Sequence, residues 1–315
     1  MADPSPSTPN LNLTDHRVLI FDVYGTLVDW ETAIYDALKP VLPDLSREEI
    51  LTQYGNVEGN LQMQFPSTAY SKILELAFRQ LSTRSGIIPT GFDGGGEASM
   101  DQNASTSEAT VETVSSPSIP AGDAERFGAS IADWKPFADT TDALHRLKKH
   151  FALVVLSNVD NASFKGTHAR LSSSQYEGSA YRTVAPDSPF SLILTAQQVG
   201  TYKPNPLMLE TALRQLSANP DRFLPSNPSV RVEPSQVLVV ANSIRHDILP
   251  SLQRGLRNVW ISRYGVNYVG NKGGSLEVGI TEKGGAADGR FPYTWRFETL
   301  EHVADTVEQE VANKT

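Results

Sequence analysis

The segment FDVYGTLVDW, residues 21–30, runs from an apolar stretch into an aspartate, Asp22, followed by Tyr24, Gly25 and Thr26. A carboxylate delivered to the tip of a strand can serve as a nucleophile if it stays ionised, and a neighbouring cation is what keeps a carboxylate ionised in a closed site. The later apolar runs end in polar groups that suit such a centre. Ser157 and Asn158 follow FALVVL, Lys203 lies in TYKPNP, and ANSIRHD supplies Asn242, Ser243 and Asp247. Singly these residues read as an Asx turn, a polar turn and a solvated lysine. Jointly, in this order and each at a strand end, they describe one site.

The elements that would position them are short and apolar throughout. RVLIFD (17–22), FALVVLSN (151–158), FSLILT (190–195), QVLVVAN (236–242) and RNVWIS (257–262) lack alternation, the pattern of strands buried on both faces of a parallel sheet. TTDALHRLKKHF and PLMLETALRQL carry apolar residues at helical spacing, with Thr140 or Thr141 as an N-cap for the former. Alternating strands and helices predict an α/β fold, a doubly wound Rossmann-like parallel sheet, whose ligand crevice lies at the carboxyl ends of the strands. The long interval after the first strand is too long for one crossover. Its helical patterns predict an inserted helical cap over residues 31–133, with a low-complexity, loosely held insertion over about 87–128. The core then comprises residues 15–30 and 134–315, and a Pro-, Ser- and Asn-rich stretch, residues 1–14, forms a disordered leader. A short helix, ETLEHVADTVEQEV, closes the chain.

Composition narrows the function classes. The absence of cysteine removes disulfides, thiol nucleophiles and cysteine-based zinc sites. A formal charge of −9 without a basic stretch argues against nucleic-acid and anionic-membrane partners. The apolar runs fall far short of the ~18 residues of a membrane span, and the N-terminus lacks the pattern of a secretory signal. The expectation is a cytoplasmic enzyme with a small-molecule substrate, compatible with a homodimer.

DVYGTL, VLSN, TYKPNP and ANSIRHD resemble, in order, the four motifs of the haloacid dehalogenase superfamily of hydrolases, over roughly residues 15–265; DxYGT in particular is similar to the type II 2-haloacid dehalogenase branch. The resemblance implies Asp22 as nucleophile, Lys203 and Asp247 as its charge partners, and Ser157 and Asn158 as holders of a substrate carboxylate. Tyr24, Thr26, Trp30, Asn242 and Ser243 would line or orient the substrate pocket. It also implies a covalent route, in which Asp22 displaces a leaving group such as halide from a small 2-substituted carboxylic acid and water hydrolyses the aspartyl ester.

Family phosphatases carry a second acid where Tyr24 stands and an aspartate where Asn242 stands. A phenol with a pKa near 10 is a poor proton donor at neutrality, and a neutral amide is a weak ligand for Mg²⁺. Both departures favour chemistry at carbon without a metal cofactor. The alternatives are a Mg²⁺-dependent phosphatase, whose metal site would use Asp22, Tyr24 and Asp247, and a catalytically silent binding or scaffold protein. Characterised 2-haloacid dehalogenases carry a halide-gripping arginine in the first cap helices, whereas LTQYGNVEGNLQMQ has no cation. Leu209 likewise stands where those enzymes carry an aromatic residue. His246 reads as a structural loop histidine, Trp30 as packing at the hinge, and Glu58 as a cap residue that is either solvated or turned to the pocket.

Overall fold

The structure, a computed structural model, describes residues 11–84, 122–172, 188–223, 231–263, 285–286 and 291–314. Its centre is one sheet. β1 (Val18–Phe21) lies between β2 (Ala152–Ser157) and β4 (Val237–Ala241). β3 (Leu192–Thr195) pairs beyond β2, and β5 (Arg257–Ile261) beyond β4. These five are parallel. β7 (Trp295–Phe297) adds a sixth parallel strand, and the two-residue β6 (Gly285–Ala286) closes the edge antiparallel, giving the order β3-β2-β1-β4-β5-β7-β6. All four residues of β1 and all five of β4 are buried, as their unbroken apolar sequences require. Phe21 is in register with both Val155 and Val240, so Asp22 emerges level with the ends of both neighbours.

The connections are helical. α5 (Thr140–Leu147) precedes β2, α6 (Asn161–Leu171) follows it, and α7 (Ala196–Val199), α8 (Pro206–Ala218) and α9 (Pro220–Phe223) join β3 to β4. α10 (Leu249–Gln253) leads into β5, and α11 (Leu300–Ala312) packs against α5. Local chemistry sets the boundaries. Asn205 accepts a hydrogen bond from the Leu207 amide at 3.0 Å, and Pro206 occupies the first helical turn of α8, where no amide donor is needed. Asp160 caps α6 by accepting from the Ser163 amide at 2.8 Å.

After β1 the chain leaves the sheet at Val28 and returns beside it: Val28 and Pro136 form an antiparallel bridge, and the Asp29 amide donates to the Lys135 carbonyl at 2.9 Å. Between exit and return lie α1 (Trp30–Leu38), α2 (Arg47–Gln64), α3 (Tyr70–Arg84) and α4 (Asp123–Ala129), packed successively. Ser46 starts α2 with a reciprocal capping box to Glu49. Asp160 reaches into this bundle as well, accepting from the Ser71 amide at 3.0 Å. Among the described residues no helix is long and apolar enough to cross a membrane.

Two expectations need correction. The segment expected to be loose through residue 128 includes α4, whose buried Ala124 and Phe127 pack in the bundle; residues 85–121 lie outside the described residues. The expected leader is also shorter. Leu13 is buried, and Glu310 of α11 accepts from the amides of Leu13 and Thr14 at 3.0 and 2.8 Å, so residues 11–14 are held; residues 1–10 lie outside the described set. Two apolar or hydroxylated side chains in a polar stretch give too weak a pattern to reveal such a dock.

Candidate active site

Asp22 sits at the floor of a crevice at the carboxyl end of the sheet. Its two oxygens are held differently. Lys203 Nζ donates to Oδ1 at 2.7 Å, and Thr26 Oγ1 donates to Oδ2 at 2.7 Å. The same ammonium donates to Asp247 Oδ1 at 2.8 Å and to the Leu156 carbonyl at 3.0 Å, which uses its three donors. Burial acts to lower the Lys203 pKa, but the two carboxylates outweigh it and hold the group above its ordinary value. Burial pushes Asp247 up against the pull of Lys203. Its second oxygen is buried and has no hydrogen-bond partner among the described residues.

The loop that aims Asp22 is a tight turn. The Val23 carbonyl accepts from the amides of Thr26, Leu27 and Val28, and Gly25 adopts φ +93°, a conformation that favours glycine. A side chain at Gly25 would also stand 3.0 Å from the Trp30 ring nitrogen. Thr26 is the pivot. Its hydroxyl accepts from the Asn242 amide at 2.8 Å, and its carbonyl accepts from Arg263 Nε at 2.8 Å. Arg263 stacks over Phe137 at 4.0 Å and donates to Asp139 at 2.8 Å, while the other Asp139 oxygen accepts from the Leu300 amide at the start of α11.

Above Asp22 opens a cavity of about 670 Å³, walled by the sheet-end loops on one side and α1–α3 on the other. Tyr24, Trp30, Asn158 and Ser243, each named from the sequence, line it together with Lys203. The Tyr24 hydroxyl, however, shares a 2.9 Å hydrogen bond with Thr167, and burial raises its pKa well above that of an ordinary phenol. Asn158 turns its amide to the backbone of Lys203, donating to its carbonyl at 3.1 Å and accepting from its amide at 2.6 Å. It fixes the lysine. Two predicted substrate contacts lie behind the wall. Ser157 is fully buried, its hydroxyl without a hydrogen-bond partner among the described residues, and the side-chain Nδ2 of Asn242 donates to the Ile261 carbonyl at 2.7 Å. Ser157 is the last residue of β2 and Asn242 the first beyond β4, and both are still packed in the core.

The match to known proteins follows the geometry. A model of the haloacid dehalogenase-like hydrolase family matches residues 16–250, most of the chain. The chain is a haloacid dehalogenase-like hydrolase. Solved structures with the same fold include the L-2-haloacid dehalogenase of Xanthobacter autotrophicus with chloropropionic acid covalently bound. It shares 15% identity at a TM-score of 0.58, over 93% of this chain and 98% of that one. The L-2-haloacid dehalogenase PA0810 shares 18% identity at a TM-score of 0.56, over 93% and 99% of the two chains. The HAD-hydrolase YfnB from Bacillus subtilis, bound to magnesium, shares 14% at a TM-score of 0.55, over 93% and 99%. No curated protein matches the sequence.

Family hydrolases of this fold invite a test for Mg²⁺, a hard cation that takes several oxygen ligands. The donor set here does not fit it. Lys203 spans both carboxylates, Tyr24 is turned to Thr167 and Asn242 is engaged at Ile261; among the described residues no three acidic or histidine side chains converge.

Among the pocket residues that the sequence did not assign to the site are Arg245 and His246, and Glu58, left open between solvent and pocket, lines it as well. His246 is held neutral down to about 4, chiefly by burial and by the Lys203 charge. The ANSIRHD motif placed Arg245 and His246 near the site. Only packing of α2 against the sheet ends could direct Glu58.

Proposed function

We propose that this hydrolase acts through Asp22 on a small 2-substituted carboxylic acid, in the manner of a 2-haloacid dehalogenase. The observation that carries the reading is the division of labour on Asp22: Lys203 balances Oδ1 and Thr26 orients Oδ2, at the floor of a cavity where the side chain two residues past the nucleophile is the phenol of Tyr24, bonded to Thr167. The covalently bound chloropropionic acid of the Xanthobacter enzyme supports the same chemistry on the same fold.

In the first step an Asp22 oxygen forms a bond to the α-carbon as the carbon–halogen bond breaks; halide leaves with the electron pair and needs no proton. Lys203, 2.7 Å from Oδ1, balances the charge of Asp22 for the attack. In the second step water adds to the carboxyl carbon of the aspartyl ester. Asp247, with one oxygen free of hydrogen bonds, receives one proton of the water; the tetrahedral centre then collapses, the ester C–O bond breaks, and the 2-hydroxy acid departs on the oxygen that came from Asp22, taking up the water's other proton as the Asp22 carboxylate re-forms.

The test is halide release from (S)-2-chloropropionate in EDTA, compared with Asp22→Asn. Release is expected from the wild type and should fall by at least ~10²-fold in the variant. Turnover that survives the substitution, or that appears only as phosphate release with Mg²⁺, would overturn the reading.

A further inference from the structure

Glu58 is a half-buried acid for which the reaction above has no use. It projects from α2 into the cavity that also holds Asp22, where its carboxylate accepts from Gln62 Nε2 and hydrogen-bonds Tyr70, itself joined to Tyr54 hydroxyl to hydroxyl at 3.2 Å. Burial pushes its pKa up to about 7. The charged and titratable groups around it are Tyr70 and Tyr202, whose phenols burial holds neutral, Tyr54, and Arg245 across the mouth. Arg245 is exposed and makes no ion pair with Glu58 among the described residues. A carboxylate taken from water without a cation at contact is unfavourable unless something neutralises it.

The surroundings suit one kind of neutralising group. Trp30, Tyr54, Tyr70 and Tyr202 line the same cavity, and aromatic faces attract ammonium groups. On α2 the residues beside Glu58 are Gly55 and Gly59, both lining the cavity, and a methyl group at either position would meet nothing within 4 Å. A glycine weakens a helix interior relative to alanine, and here each leaves open room beside the acid. The cavity itself, about 670 Å³, is in the size range of pockets that hold ligands much larger than a three-carbon acid, about 300–1,000 Å³.

We propose that Glu58 is a specificity-determining residue that accepts hydrogen bonds from a substrate ammonium group, so that the preferred substrate is a 2-substituted acid extended by an amino-bearing chain. The inference rests on Asp22 marking the reacting end of the cavity, and it deepens that reading by defining the other end.

Binding to Asp22→Asn protein, followed by calorimetry, separates the two. The probes are 2-chloro acids of increasing chain length ending in methyl, hydroxyl or ammonium. The ammonium-ended acid of the best length should bind about tenfold more tightly than its methyl-ended match, equivalent to ~1.4 kcal/mol. That preference should vanish in Asp22→Asn/Glu58→Gln, whose fold is checked by its cooperative thermal transition. Equal affinity for methyl and ammonium ends, a hydroxyl end as good as ammonium, a preference that survives Glu58→Gln, or no binding by any probe would each overturn the proposal. Ammonium preference without Asp22-dependent halide release would instead leave Glu58 in place and remove only the reading of the chemistry.

Discussion

Replacing Lys203 by methionine keeps an unbranched stem and deletes the charge that separates two buried carboxylates. In the wild type the ammonium contacts Asp22 and Asp247 at 2.7 and 2.8 Å, with the side chains of Lys203, Asp22 and Asp247 only 4%, 9% and 4% exposed. Oxygens bound to one nitrogen lie within about 5 Å of each other, so at an effective dielectric of ~20 their repulsion is roughly 3 kcal/mol once the cation is gone. Loss of one partner of a buried pair typically costs about 3–5 kcal/mol. The two figures describe the same deficit, and a domain stable by about 5–15 kcal/mol survives it.

The pH dependence has a definite sign. In Lys203→Met, Asp247 loses the cation that opposes the upward push of burial, so the folded state binds more protons than the unfolded one and the deficit shrinks as pH falls. Urea denaturation followed by tryptophan fluorescence should show a loss of about 3–5 kcal/mol at alkaline pH, most of it gone at mildly acidic pH. Adding Asp247→Asn should restore much of it even at alkaline pH. A deficit below ~1 kcal/mol, one flat with pH, or one untouched by the second substitution would refute the account of Lys203 as the charge linking both acids.

Glu58→Gln should stabilise the protein by about 1–2 kcal/mol at pH above 7, the pKa shift discounted for solvent in the open pocket. Because the folded pKa is raised, the wild type is penalised only as pH rises from the unfolded value through about 7, so the gain should disappear in acid; a gain constant with pH would contradict the assignment. Gly166→Ala should destabilise by about 1–3 kcal/mol or more in thermal melts, because the new methyl would fall 2.3 Å from the Ala132 side chain, where the turn before Trp134 packs on α6. A melt unchanged within error would mean that this turn yields freely.

Much of the fold is legible because buried parallel strands declare themselves without reference to anything distant. The runs ending at Asp22, Ser157, Thr195, Ala241 and Ile261 all lie in the sheet, and their order alone brings Asp22, Lys203 and Asp247 to one end. What escaped was of two kinds. β7, WRF, is too short to stand out, and it pairs only because β5 offers an open edge. The direction of individual side chains escaped as well. Asn158 and Asn242 are at strand tips as expected, yet each amide is taken by a backbone group that sequence separation conceals, 45 residues away for Lys203 and 19 for Ile261. Glu58 gave the opposite result: helical spacing puts it on α2, but nothing local distinguishes a solvated acid from one packed beneath Tyr70.

The clamp on Thr26 bears on where this enzyme begins and ends as an inherited unit. The family match stops at residue 250, a span that already contains Asp22, Lys203 and Asp247. Yet the guanidinium on the Thr26 carbonyl comes from Arg263, and the carboxylate that anchors that guanidinium also fastens the first turn of α11 through the Leu300 amide. The aim of the nucleophile therefore depends on a helix that does not line the cavity. Changes at Asp139, Arg263 or the Leu300 turn would be felt at the nucleophile as a loss of aim, with every reacting group still present.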